Sequence, residues 1–387
     1  MPSSDEVSVN KGIPAPLAHA ALIIISILPL FVPIPTNINI VLTAAATVYV
    51  GSWRSVKAEP PTEAMTKKDA MKFPLMGSIM LFSLFLAFKF LPKDLVNLVL
   101  SAYFVLIGTA ALVATVDPLV APFLPAAFPH KDITIKIPAI PRLLPEGFEI
   151  SFSTFEAVLA IPAAGFCYWY WTTKHWLGNN ALGIAFSLQG VEHLSLGAVQ
   201  NGVILLSGLF FYDVFWVFCT PVMVSVAKSF DAPIKLLFPR VPMPTTAGAS
   251  AFSMLGLGDI VIPGIFVAII LRYDAEHNNF HGKQTPSGIG TNKRTTRYFK
   301  SAFIGYVAGL ATTIAVMNIF QAAQPALLYI VPAVLITTFG HAKIAGEAEK
   351  LFHWKEAEEE EEESAATAAG KVKEAASAAV GENKKDS

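Results

Sequence analysis

The chain reads as an all-α protein, a polytopic membrane helix bundle, and three observations predict this. Of its 387 residues, 53% are hydrophobic and only 15% are charged, where a soluble protein carries about a quarter charged residues. The apolar residues stand in continuous blocks, and a block of about 20 is long enough to cross a bilayer as a helix. The blocks show no alternation of period two, which argues against a β-barrel.

The elements follow in order. Residues 17–53 hold two apolar runs, 17–35 and 38–53, split by Pro33, Pro35 and Asn37. The reading is one span over 36–53, preceded by a lumenal or re-entrant apolar segment within 1–35. Only Lys11 precedes the first run, and Pro29, Pro33 and Pro35 interrupt it, so it does not read as a cleaved signal. Further spans are expected at 73–91, 95–116, 154–172, 180–200, 202–227, 251–271, 301–320 and 325–343. That makes nine transmembrane helices, or ten if 17–35 also crosses. The membrane domain therefore covers 36–346. The loop 117–153 is proline-rich, with a β-like alternation in ITIKIPAI, and the loop 272–300 is polar and basic. From residue 347 the composition changes. Glu358 to Glu363 is an unbroken acidic run before an Ala-, Lys- and Ser-rich stretch. Such a segment cannot bury a core, so 347–387 is expected to be a disordered acidic tail.

Basic residues orient the bundle. Arg54, Lys57, Lys67, Lys68 and Lys72, then Lys131, Lys136 and Arg142, then Arg272, Lys283, Lys293, Arg294, Arg297 and Lys300 fall in one set of alternate loops. The opposite set holds only Lys11, Lys93, Lys174, Lys228, Lys235 and Arg240. The richer set is expected in the cytosol, which puts the N-terminus in a lumen and the C-terminus in the cytosol.

Several function classes fall away. The net charge is −1 and no basic stripe is present, so no nucleic-acid partner is expected. Cys167 and Cys219 both lie in apolar segments, which speaks against a disulfide or a thiolate metal site. His277 and His281 have helical spacing but lie in a polar loop with no HExxH, so no metal or other cofactor is expected. Glu192 and His193 read as interfacial, and Lys89 as a residue whose ammonium reaches back to the interface.

The informative residues are two aspartates. Spans 202–227 and 251–271 each carry one, Asp213 and Asp259, and no other charge. A carboxylate at mid-bilayer costs about 2.5–3.5 kcal/mol on insertion scales, so each is a functional hint. Peptide hydrolysis needs a water made nucleophilic and a carbonyl made electrophilic, and two carboxyls sharing one proton supply both. An ion- or proton-coupled transporter or channel using the same two carboxylates is the alternative from charge alone.

The flanking residues carry a resemblance. Tyr212-Asp213 stands in FFYDVFWVF, Gly256-Leu257-Gly258-Asp259 in FSMLGLGDIVIPGIF, and Pro325-Ala326-Leu327 in QAAQPALLYIVPA. A YD span, a GxGD span and a downstream PAL, in that order, resemble the GxGD intramembrane aspartyl proteases, and so a presenilin-like fold. The wider text, with KHWLGNNALGIAFSLQGVE and VSVAKSFDAPIKLLFP, is similar to the signal peptide peptidase branch in its plant-type form. The likeness covers about residues 37–345 and implies an aspartic endopeptidase that cleaves remnant signal peptides and membrane helices running N-terminus to cytosol. It implies Asp213 and Asp259 as catalytic residues, with Pro325, Ala326 and Leu327 shaping the site against them.

Physical roles can be attached to the rest. Gly256 and Gly258, lacking Cβ, let backbone and substrate approach Asp259, and small residues equally serve helix packing. Tyr212 adjoins Asp213 and is read either as a hydrogen-bonding neighbour or as a packed aromatic. Pro325 disfavours helix at Gln324 and opens the start of the last span, near which an extended substrate can pair with exposed backbone. Pro221, Pro263 and Gly264 mark places where the two aspartate helices can bend. Lys384 and Lys385 form a KKxx pattern, the dilysine signal that retrieves membrane proteins to the endoplasmic reticulum. Expected partners are the bilayer, transmembrane peptide substrates, and either a second copy of the chain or quality-control proteins of that membrane.

Overall fold

The computed structural model describes residues 15–56, 64–120, 132–137, 148–229, 232–240, 251–277, 296–320 and 324–356. The N-terminal apolar segment forms a short helix, α1 (Ala15–Ile27), and a 3₁₀ turn over Leu28–Leu30. There follow α2 (Thr36–Arg54), α3 (Lys67–Phe90) and α4 (Lys93–Val120), then an antiparallel pair β1 (Asp132–Ile137) and β2 (Phe148–Ser153). Helices α5 (Thr154–Thr173), α6 (Trp176–His193), α7 (Val199–Phe218) and α8 (Val222–Ser229) lead into a second antiparallel pair, β3 (Lys235–Pro239) and β4 (Phe252–Gly256). The chain closes with α9 (Gly258–His277), α10 (Arg297–Phe320), α11 (Leu327–Ile344) and α12 (Ala348–Phe352).

The molecule is an all-α, multi-pass membrane bundle. Among the described residues nine helices run for 18 residues or more, α2 to α7 and α9 to α11. Five of these, α3, α4, α7, α10 and α11, are long and apolar enough by themselves to cross a membrane. Helix α3 turns Met71, Leu75, Met76, Ile79 and Met80 outward, as a lipid-facing helix does. Helix α9 is the opposite case. Residues Ile265 to Leu271 are buried on every side, and α2, α6, α7, α10 and α11 pack around them. An apolar helix without a polar face belongs in the centre of a bundle.

Three segments differ from the expected spans. The helix expected over 202–227 stops at Phe218 and restarts as α8 at Val222. Pro221 has no N–H to continue the ladder and marks the break. The segment 251–271 opens as strand β4, and its helix begins only at Gly258 because the backbone before it is committed to β3. The segment 180–200 begins earlier, at Trp176, and ends at His193. Beyond it Gly197 takes φ +66°, a left-handed turn that suits glycine. The alternation in ITIKI forms β1, as its period of two requires.

Buried charges lock the helices together. Arg54, counted above as a loop cation, is largely withdrawn from solvent, with 11% of its side chain exposed, and pairs with Glu192 at 2.6 Å. Its Nη2 also donates to the Ala114 carbonyl at 3.0 Å. In a regular helix that carbonyl would accept from residue 118, but Pro118 has no N–H, so α4 offers the guanidinium a vacant acceptor. Glu192 is therefore a structural partner, and Lys89 lies over its neighbour Phe90.

Residues 347–356, expected to be tail, pack on the bundle. Glu356 N–H donates to the Gly197 carbonyl at 2.6 Å, and Val199 N–H donates to Trp354 O at 3.2 Å. The Glu356 carboxylate accepts from Ser195 Oγ and lies 2.9 Å from Arg272 Nε, both charged side chains being 8% exposed. The acidic run Glu358–Glu363, Lys384, Lys385 and His281 lie outside the described residues.

Removing one partner of a buried ion pair costs about 3–5 kcal/mol, whereas a well-packed apolar replacement of both can be neutral. Glu356→Ala is therefore expected to lower thermal stability in detergent, with Arg272→Met/Glu356→Leu recovering most of it. Equal loss in both variants would contradict this account. Glu347 supplies a pH test. The Tyr298 hydroxyl, donating at 2.6 Å, and the Arg297 guanidinium hold its carboxyl below the usual range. Its stabilisation is complete above about pH 4.3 and lost as pH falls through the lowered folded value. The melting difference between wild type and Glu347→Gln is expected to shrink on acidification.

Candidate active site

Asp213 falls inside because of its spacing on α7. Gly202, Leu206, Leu209, Asp213 and Trp216 follow steps of four and three and form the buried face. Phe211, Phe215 and Phe218 point outward. At 5% exposure the Asp213 carboxylate needs a donor, and Oδ2 receives the Leu327 N–H at 3.0 Å. Leu327 opens α11, so this N–H is among those left without an intrahelical acceptor. The YD and PAL motifs, 114 residues apart, thus meet in one hydrogen bond.

Pro325, Ala326 and Leu327 are all buried. Thr313 Oγ reaches the Ala326 carbonyl at 3.4 Å from α10. Helices α10 and α11 approach unusually closely here. A Cβ on Gly309 would stand 2.6 Å from Ile330 Cα, and one on Gly305 would stand 2.8 Å from the Ala333 carbonyl. These glycines bring the α11 N-terminus to the depth of Asp213.

Asp259 lies in the first turn of α9 and is half-buried. A Cβ on Gly256 would come within 3.3 Å of its Oδ2, so the backbone before the helix runs directly beside the carboxyl. Gly258 is exposed, and Leu257 joins the core with its N–H bonded to Ile234 O at 3.0 Å. Asp259 and Asp213 lie within electrostatic range of each other. The Tyr212 ring lies 3.7 Å from the Cβ position of Gly77 and near Trp216, on the side of α3.

Three features were not read from the sequence. Tyr306 on α10 has a fully buried hydroxyl that makes no hydrogen bond among the described residues and lies within electrostatic range of Asp259. A tyrosine within an apolar run was the available signal. Asn179 and Asn180 in LGNNALG reach the backbone of β3, and adjacent amides in an apolar helix were the sign of it. Thr36 also reaches β3, with no comparable signal. Among the described residues no group of three or more His, Cys, Asp or Glu gathers to hold a metal.

A signal peptide peptidase family model matches residues 57–358, more than half of the chain. The chain belongs to the signal peptide peptidase family. It is 41% identical over 326 residues to the signal peptide peptidase of Homo sapiens, covering 82% of this chain and 83% of that protein. The Mus musculus signal peptide peptidase is equally similar, at 41% over 326 residues, covering 82% of each. The signal peptide peptidase-like 1 of Oryza sativa subsp. japonica is 28% identical over 344 residues, covering 78% of this chain and 88% of the relative. As a member of the signal peptide peptidase family, the chain is an intramembrane protease, with membrane-embedded peptides as its substrates.

Gly309→Val tests the close helix contact. The added side chain must push Ile330 and the α11 N-terminus away, and overpacking of this kind costs about 1–3 kcal/mol. Thermal stability in detergent and proteolysis are both expected to fall. Unchanged values would mean that α10 and α11 separate at no cost.

Proposed function

We propose that the chain is an aspartic endopeptidase of the endoplasmic reticulum membrane, with Asp213 and Asp259 as its catalytic pair. The observation that carries this reading is the Leu327 N–H to Asp213 bond, with Asp259 in electrostatic range of the same carboxyl. The substrates are remnant signal peptides and other membrane helices running N-terminus to cytosol. The lysine and arginine distribution supports a lumenal N-terminus and a cytosolic C-terminus. Lys384 and Lys385 support retrieval to the endoplasmic reticulum.

The chemistry follows from a shared proton. The ionised carboxylate takes a proton from water as that water attacks the scissile carbonyl carbon. The protonated partner donates to the carbonyl oxygen. Collapse of the tetrahedral intermediate breaks the C–N bond, and the amine leaves with a proton from the pair. Asp213 is steadied by the helix terminus, while the half-buried position of Asp259 leaves room for water and substrate.

A helical peptide hides its carbonyls, so the substrate must be extended where it is cut. Strand β4 ends at Gly256, three residues before Asp259. An extended segment added to β4 would be hydrogen-bonded by backbone, independent of its side chains, and carried to the carboxyls. Gly256 adds no side chain in its way.

Asp213→Asn and Asp259→Asn are each expected to abolish cleavage of a synthetic signal peptide by the purified chain in detergent, without lowering its melting temperature. Cleavage by wild type is expected to fall at alkaline pH, where the shared proton is lost. Cleavage that survives either substitution, or that stays flat into strong alkali, would refute the dyad and leave an ion-coupled role for the two carboxylates.

A further inference from the structure

Strands β3 and β4 make a two-stranded sheet, and such a sheet has two outer edges. Their backbone directions can be read from the ladder. The register pairs Leu236 with Leu255 and Phe238 with Ser253. Beyond its ends, Leu257 N–H donates to Ile234 O at 3.0 Å and Arg240 N–H donates to Ala251 O at 2.9 Å. Residues that exchange bonds alternate along an antiparallel pair. Lys235, Leu237 and Pro239 therefore turn their backbone groups outward from β3, and Phe252, Met254 and Gly256 do so from β4.

The outer edge of β3 is closed residue by residue. Asn179 Nδ2 donates to the Lys235 carbonyl at 2.6 Å. The Asn180 side chain holds both groups of Leu237: its Nδ2 donates to the carbonyl at 2.8 Å, and its Oδ1 accepts the N–H at 2.7 Å. Pro239 has no N–H, and its carbonyl accepts from Thr36 Oγ at 2.9 Å. One carboxamide thus does for Leu237 what a neighbouring strand would do. Both asparagines are buried, at 4% and 5% exposure, and sit on α6, while Thr36 begins α2. Across the sheet, the backbone groups of Met254 and Gly256 make no hydrogen bond among the described residues.

We infer that Asn180, with Asn179 and Thr36, is a positioning residue that blocks one edge of this sheet and fixes the register at which an extended substrate on β4 meets Asp259. The inference rests on the proteolytic reading above and adds a determinant of which bond is cut. Because α6 and α2 pack against the central helix α9, the asparagines tie the height of β3 to the helix that carries Asp259. Through the ladder they tie the height of β4 as well. A substrate paired with β4 can then present only a narrow choice of peptide bonds to the carboxyls. Without the clamp β3 and β4 can shift together, and a shift of the template moves the cut.

The test is the mass of the products. A synthetic single-span peptide is cleaved by the full chain in detergent, and its fragments are read by mass spectrometry. Asn180→Asp keeps the side-chain shape but sets an oxygen against the Leu237 carbonyl. It is expected to spread cleavage over neighbouring bonds and to lower kcat about 2- to 10-fold, the worth of a hydrogen bond. Asn179→Ala and Thr36→Val each remove one bond and are expected to act in the same direction more weakly. They also carry the test if Asn180→Asp does not accumulate. A merely structural role would lower the melting temperature and the total product without new fragment masses. Fragments identical to those of wild type in all three variants would overturn the inference, provided that Asp259→Asn is inactive. Cleavage that persists in Asp259→Asn would instead overturn the proteolytic reading on which it rests.

Discussion

The hydrogen bond from the first residue of α11 to Asp213 is the contact on which the arrangement turns. A carboxyl buried in an apolar bundle needs a donor, and a helix beginning inside the same bundle needs acceptors for its first N–H groups. Each demand meets the other at 3.0 Å. The pairing sets the depth of α11 against α7. The glycines at 305 and 309 then allow α10 to follow α11 closely, and Asp259 is held against the pair by the central position of α9.

Much of this was legible in the sequence. The helical class followed from continuous apolar blocks, and most helices fall within a few residues of the expected spans. Asp213 and Asp259 stood out because each is the sole charge in its block. What was not legible depends on contacts distant along the chain. Nothing near Phe252 indicates a strand, since its partner Pro239 lies beyond a separate segment. Hydropathy therefore extended the helix backward over β4. Arg54 and Glu192 read as surface residues because each is polar, yet they pair with each other and are only partly exposed. Residues 347–356 looked like tail because their composition is polar, yet the carboxylates of Glu347 and Glu356 are spent on partners in the bundle.

The same rule runs through the interior. At three places where a proline or a strand edge leaves a backbone group open, a side chain from another helix completes it. Arg54 serves the carbonyl freed by Pro118, Asn180 serves Leu237, and Thr36 serves Pro239. In lipid no water is available to do so, which makes such groups specific attachment points between helices. Backbone irregularity is thereby converted into fixed geometry near the two carboxyls.

The Arg272–Glu356 contact has a consequence for biosynthesis. Arg272 is incorporated 84 positions before its counter-charge (356 − 272 = 84). While the ribosome is still producing α10 and α11, the guanidinium at the end of α9 has to remain hydrated or borrow a transient anion. The latch on Gly197 and Ser195 can close only once Glu356 has been made. The final seal on the bundle is therefore set after translation of all nine long helices, which separates insertion of this protease from its consolidation in time.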